Sequence, residues 1–465
     1  MEIRKVDEVI LHVDLDEAGT WMLVKKFGKS CFEINENPKF TFASIPEKMG
    51  ADHWSSLNTL VLGSGGDVFD EHRNGDDARE TDPDGTKLCS MVKAVRHLGI
   101  IEDPVILDIA EEIRYYDNER GCPKTHLGTL IKMFKNKQLT TKCSDTVTLR
   151  IALNWAVEMV EVVHRAMANP TEAILKNHMP EFPTFVGKII REELSDEFTD
   201  ECIVNKVLGI IKNDSQKHDV LILENIFRCL WQTADGNTSR EITREVKDYV
   251  IFALRLIYWD QLDFQTFRRE QEALRKAQNS HWFKISGWKE RGHTQCRQFQ
   301  VQAVALQTSN RHAHSVLMSL GAQLTIVMNE TGHVTIMGNV QAIEILGDGF
   351  VSLAAMLRFS EVPQADKEKA VWSSLCVRGN CQYAPKWHLD EADRLFISNG
   401  TDNFKGVPKT NLTLPEIVRI SRDAFNPNNV QIWKGRNHVP AEREEIENEL
   451  ASLKIEILDE ARRSQ

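Results

Sequence analysis

VILHVDLDEAGT, residues Val9 to Thr20, joins an apolar run to a polar junction and then to the small residues of a helix start. An apolar run followed at once by a helix start is the first half of a βα unit. If the backbone stays extended through the junction, His12, Asp14 and Asp16 point to one side at steps of about 6.6–6.8 Å. They would then converge at the carboxyl end of a strand, where open α/β sheets place their sites. One imidazole with several carboxylates suits Mn²⁺ or a similar divalent ion better than structural zinc. Taken alone, the same trio reads equally well as polar side chains capping the next helix.

Outward from this stretch, short apolar runs alternate with helical patterns at Glu8 to Val13, Leu57 to Leu62, Met91 to Leu98 and Pro104 to Tyr116. This predicts an α/β domain with a mainly parallel sheet over 1–143. From Ser144 the pattern is helical, with helices expected at about Pro183 to Leu194, Asp200 to Ile211 and Arg240 to Gln278, giving a helical connector over 144–280. After His281 the stretches FQVQAVAL, GAQLTIVMNE and TGHVTIMGN read as strands, the last two joined by a turn around Glu330 to Gly332. An α+β domain is therefore expected over 281–440, followed by one charged helix over 441–465. The long helix and the charged tail are both suited to homodimerisation or to packing within the chain.

The chain has 465 residues, which at roughly 150 per domain suggests about three units. Its 42% hydrophobic and 27% charged residues, with 14 Pro and 25 Gly, exclude disordered, collagenous and low-complexity classes. The net charge of −11 argues against coating nucleic acid over the whole surface, so a polyanion would have to be gripped locally. The start MEIRKVDEV lacks the apolar core of a signal peptide, and Tyr249 to Trp259 is short and interrupted by Arg255, so no membrane association is expected. Nine cysteines without a C-x-x-C pattern are expected to be reduced thiols in a cytoplasmic protein. Cys376 and Cys381 have the wrong spacing for common zinc sites.

Three ligands do not close a dinuclear site, and partners lie further on. LNTLVLGSGGDVFDEH carries a second strand into Gly63, Gly65 and Gly66, which permit a tight turn, and then into Asp67, Asp70 and His72. DIAEEIRYYDNERG follows as an amphipathic helix ending in Asp117 and Asn118, with Asp117 the natural last ligand.

An H-x-D-x-D element, a D-x-H element after a glycine-bearing second strand, and an aspartate in a D-N pair about 45 residues later resemble the DHH phosphoesterase superfamily. GGDVFDEH and YYDN look most like its Myg-type metal-dependent hydrolase branch. The likeness covers roughly residues 8 to 135 and is looser over 281 to 440, where the strand pattern is similar to the DHH-associated substrate domain. It implies two Mn²⁺ ions per chain, with Mg²⁺ or Co²⁺ as substitutes, bridged by a water or hydroxide that attacks a phosphodiester. Carried over by position, His12, Asp14 and Asp16 match the first motif, Asp70 and His72 the second, and Asp117 the last. The chain departs from the pattern in two places. Glu71 is the middle letter of D-H-H, and Gly63 or Ser64 stands where the family carries a metal-bridging aspartate, with Asp67 a substitute three or four residues late. The G-G-G-H element of many DHH-associated domains is missing.

The resemblance implies a phosphodiesterase acting on short single-stranded RNA or DNA ends or on small linear or cyclic nucleotides, with the C-terminal domain closing over the cleft. The alternative is a catalytically impaired relative, a nucleotide-sensing or protein-interaction module that has lost one metal. Glu17, beside the metal loop, is a candidate proton carrier together with His72, an orienter of the metal ligands, or, more often for such a residue, an exposed acid in a first helical turn. Lys132, Lys135, Lys137 and Lys142 form either one wall of a phosphate-attracting cleft or, as we favour, a solvated helix end. Lys386, His388, Arg394, Lys405 and Lys409, interleaved with Trp387 and Phe404, are candidate substrate-binding residues, since cations among aromatics suit a stacked base and its phosphate. His312 and His314 are expected in a loop or helix start.

Overall fold

The computed structural model describes residues 3–424 apart from 44, 46–47, 73–79, 119–121, 140–144, 169–178, 218, 234–238, 278–280, 292–294, 340, 343–348, 368, 371, 378, 390–395 and 400–408. The chain is mixed α/β and divides into two compact units, Met1–Asp263 and Phe264–Gln465.

In the first unit, strand β1 (Arg4–Leu11) lies between β2 (Phe32–Phe42) and β3 (Thr59–Val61), all parallel. β2 has no clear signal in the sequence: FEINENPKFTF places exposed residues at 35–37 before Pro38, and the pairing slips between Val6 and Glu8. A bulge of this kind hides the two-residue alternation that would announce a strand. Helix α1 (Leu15–Phe27) is buried from Leu15 through Val24, as a helix covered on several sides must be. At Gly19 a Cβ would lie 2.5 Å from Met91 Sδ, so the missing side chain lets helix α3 (Ser90–His97) come close. A short α2 (Ala51–Ser56) precedes β3, and α4 (Pro104–Asn118) and α5 (Leu127–Leu139) follow α3.

The helices assigned from sequence to a connector share this core. Trp21 and Met22 of α1 belong to one apolar cluster with Val160 and Val163 of α6 (Asp145–Ala168) and Ile189 of α7 (Phe182–Glu193). The cluster continues through Val207 of α8 (Glu201–Asp214), Phe227 of α9 (Leu223–Thr233) and Leu254 of α10 (Ser239–Lys276). The division thus falls at 263/264 and not at 143/144 and 280/281, because these helices bury their apolar faces against α1 and its neighbours. Asp200 caps α8, accepting from the Ile203 N–H at 3.2 Å.

The second unit holds a mixed seven-stranded sheet in the order β4-β5-β6-β7-β10-β9-β8. Its strands are Trp282–Arg291, Gln295–Gln307, Leu324–Met328, Val334–Gly338, Gly379–Asn380, His388–Leu389 and Phe396–Ser398 for β4 through β10. β5 and β6 are parallel around helix α11 (Ala313–Ser319), and β6 and β7 form the expected antiparallel hairpin. Val301, Ala303 and Ala305 face helices α12 (Gly349–Glu361) and α13 (Leu414–Ala424), while Val304 and Val327 face α11 and Phe267. This alternation is the period of two that the sequence displays. The expected helix over 441–465 lies outside the described residues.

Candidate metal centre

The junction after β1 makes Asp14 the N-cap of α1. Its Oδ1 accepts the backbone N–H groups of Asp16 at 3.0 Å and Glu17 at 3.2 Å, and its Oδ2 lies 3.4 Å from His12 Nδ1. Asp16 reaches out of the same turn to a second helix: its two oxygens accept the N–H groups of Ser90 and Met91, each at 2.8 Å. The N-cap residue of α3, Cys89, makes no side-chain capping bond of its own, so Asp16 serves donors the helix leaves open.

This position sets the charge of Asp16. Burial, then the neighbouring carboxylates of Asp117 and Asp14, push its pKa up to about 7 against the pull of the Met91 N–H. Burial opposes ionisation of Asp14 too, but His12 and the ammonium groups of Lys135 and Lys132 hold it below the usual carboxylate range. Asp117, near the end of α4, offers an oxygen that lies with oxygens of Asp16 and Glu71, all within 4.8 Å of one another. His12, Asp14 and Glu17 form a second group by the same measure, and Asp70, Glu71 and His72 a third.

In the third group, Asp70 is nearly inaccessible. It accepts from Lys48 Nζ at 2.5 Å and from the N–H groups of Gly66 at 2.6 Å and His72 at 2.9 Å, and His72 Nδ1 lies 3.2 Å away. Burial opposes its ionisation, yet these partners hold its carboxyl well below the ordinary range.

Asp67, expected from the sequence as a substitute ligand, belongs to none of these groups. Arg4 donates to its two oxygens at 2.7 and 2.8 Å, and the N–H groups of Val61 and Val68 donate at 2.8 Å each. It pins β1 to β3, because a buried carboxylate with a guanidinium in reach is already satisfied.

Two participants escaped the sequence reading. Glu71 stands out there only as a departure from a motif, yet its carboxylate joins Asp16 and Asp117. Lys48 sits in an uninformative loop, and only the fold brings it to Asp70. Lys135, read as part of a solvated helix end, is half-buried, donates to the Val13 carbonyl and lies 3.5 Å from His12 Nε2. Lys142 lies outside the described residues, as does the side chain of Lys137.

The candidate substrate residues belong to the second unit. Lys386 Nζ is 3.2 Å from Glu361, His388 lies in β9, and Lys409 is exposed against Gly332. Arg394 and Lys405 lie outside the described residues. His312 precedes α11, and His314 within it meets Thr325 Oγ1 at 2.7 Å. Cys376 and Cys381 are free thiols.

These groups of imidazole nitrogens and carboxylate oxygens could hold a divalent cation. Glu17, grouped with His12 and Asp14, has a buried Oε2 that accepts no hydrogen bond. The residues present therefore fit divalent cations. No described helix is long and apolar enough to cross a membrane.

No protein-family profile matches the chain, and no curated protein matches it. A solved structure of an uncharacterized protein from Helicobacter pylori G27 is similar over 90% of this chain and 99% of its own, at 11% identity and a TM-score of 0.17, which is too low to carry any argument.

Proposed function

We propose that this chain is a divalent-metal-dependent phosphodiesterase of the DHH type, acting on short nucleic-acid ends or small linear or cyclic nucleotides. What supports the reading is the meeting of three carboxylates from separate segments, Asp16 after β1, Glu71 in the loop after β3 and Asp117 at the end of α4, with an imidazole beside two carboxylates within each of the first two segments. His12, Asp14, Asp16, Asp70, His72 and Asp117 would hold two ions. Bound divalent ions supply Lewis acidity and a nucleophile at neutral pH.

The chain's own groups do the positioning. The amides of Ser90 and Met91 fix both oxygens of Asp16, and Asp14 orients the His12 ring. Lys135 places a cation beside His12, where a phosphate oxygen needs one. The His72 ring, held at Nδ1 by Asp70 and about a third exposed, keeps its other nitrogen for an ion. The acidic chain favours small or end-bound substrates over long duplexes.

The test is a panel of short single-stranded RNA, the matching DNA, a linear dinucleotide and cyclic dinucleotides, with Mn²⁺ or with chelator. Release of mononucleotides is expected only with Mn²⁺, and it vanishes in Asp16→Ala. If the whole panel stays intact and the protein binds fewer than two ions, the reading fails.

A second reading, a nucleotide-sensing module that keeps one ion or none, is favoured by Asp70. Lys48 and two backbone N–H groups already neutralise it, so it has no need of a cation. Metal stoichiometry separates the two readings.

A further inference from the structure

We infer that Glu17 is a direct metal ligand, delivered from α1 to the end of β3 over the bare backbone of Gly63, and not a proton carrier. The inference rests on the metal-centre reading above.

Asp14 at the N-cap with Glu17 three residues on is the arrangement in which the later carboxylate ordinarily folds back onto the N-cap N–H. Here the Asp14 N–H donates to the His12 carbonyl at 2.9 Å, so Glu17 is not needed there. Its side chain is instead turned inward. Glu17 is only 7% exposed, and its Oε2 accepts no hydrogen bond. A buried carboxylate oxygen without a donor is costly unless a cation meets it.

The direction of the side chain is set by what β3 lacks. A Cβ on Gly63 would lie 2.3 Å from Glu17 Oε1 and 3.1 Å from its Cδ, so the carboxylate fills the volume that a side chain at the strand end would take. Gly63 has φ +66°, a conformation that glycine adopts freely and aspartate tolerates. From that place one Glu17 oxygen lies within 4.8 Å of ligand atoms of both His12 and Asp14, which are themselves that close. The strand-end carboxylate missing from the sequence after β3 is thus supplied through space by the helix after β1. Positions 17 and 63 form one unit: a carboxylate from either fits, and from both does not.

The test is Mn²⁺ titration of the full chain after chelator treatment, followed by the electron paramagnetic resonance signal of free Mn²⁺, with circular dichroism to check folding. The wild type is expected to bind about two ions. Glu17→Gln is expected to bind one of them at least roughly 100-fold more weakly, since losing even an outer partner of a metal ligand costs about 10–100-fold. Glu17→Ala combined with Gly63→Asp is expected to restore the second ion. A folded Glu17→Gln protein that binds both ions as the wild type does overturns the inference, and loss of hydrolysis alone in that variant marks a proton carrier. If Glu17→Gln does not fold, the double variant decides: wild-type stoichiometry supports the exchange, and one ion fewer overturns it. A wild type that binds no Mn²⁺ removes the metal-centre reading and this inference together, whereas equal binding by wild type and variant removes the inference alone.

Discussion

The two units part company at one cluster of buried charge. In the C-terminal unit the buried Glu361 and Arg358 are served where they stand, as Asp67 and Asp70 are in the first. Glu361 Oε1 accepts from the Asn411 N–H at 2.6 Å and Lys386 Nζ at 3.2 Å, while its Oε2 accepts from Trp387 Nε1 at 2.5 Å and Thr410 Oγ1 at 2.9 Å. Arg358, fully buried, donates to the carbonyls of Leu375, Val377 and Trp387 at 2.6–3.1 Å. In the N-terminal unit Asp14, Asp16 and Asp117 crowd one another instead, and Glu17 has an oxygen that nothing serves. A charge matched by its own neighbours is architecture. Like charges gathered this closely favour either protonation or a cation, and the proposed metal centre draws on the second.

The contrast breaks most readily at Glu361. Glu361→Ala strands four donors, one of them an ammonium group, and is expected to cost about 3–5 kcal/mol in urea unfolding of the full chain. Added Mn²⁺ should recover none of it, and a recovery would place a cation site in the wrong unit.

Metal sharpens the comparison from the other side. Mn²⁺ at about 100 times its dissociation constant should stabilise the first unit by about 2.7 kcal/mol per site. Peptide-resolved hydrogen exchange should show slowed exchange around Asp14, Asp16, Glu71 and Asp117 and none around Arg358 and Glu361. Equal protection in both units would remove the distinction.

The smallest expected effect is one of pH. Burial pushes the His314 imidazole from 6.5 down to about 4, so between these values the unfolded chain binds more protons than the folded one. The stability of the second unit is then fullest above pH 6.5 and declines as the pH falls toward 4. Thermal unfolding followed across that range should show the decline in the wild type and a flatter profile in His314→Gln.

Much of the fold was legible because it is written locally. The hairpin of β6 and β7 follows from alternating residues on either side of a turn at Gly332, which has φ +89°. The helices α7, α8 and α10 were expected within a few residues of where they lie. β2 was not legible, because its bulge and Pro38 erase the period.

The sequence by itself determined that an apolar strand runs into the His12 junction and that further acids and an imidazole follow at Asp70, His72 and Asp117, whereas it left open whether the chain stays extended to Asp16 or turns into a helix at Asp14, as it does. All of these depend on order and on spacing over a few residues. Only the tertiary structure decided which acids meet. Asp67 is held by Arg4, 63 residues away, Glu71 joins Asp16 and Asp117, and Glu17 settles over Gly63. Strand order and helix packing fix these distances, and packing depends on how the buried faces of separated segments fit together, which no local spacing encodes.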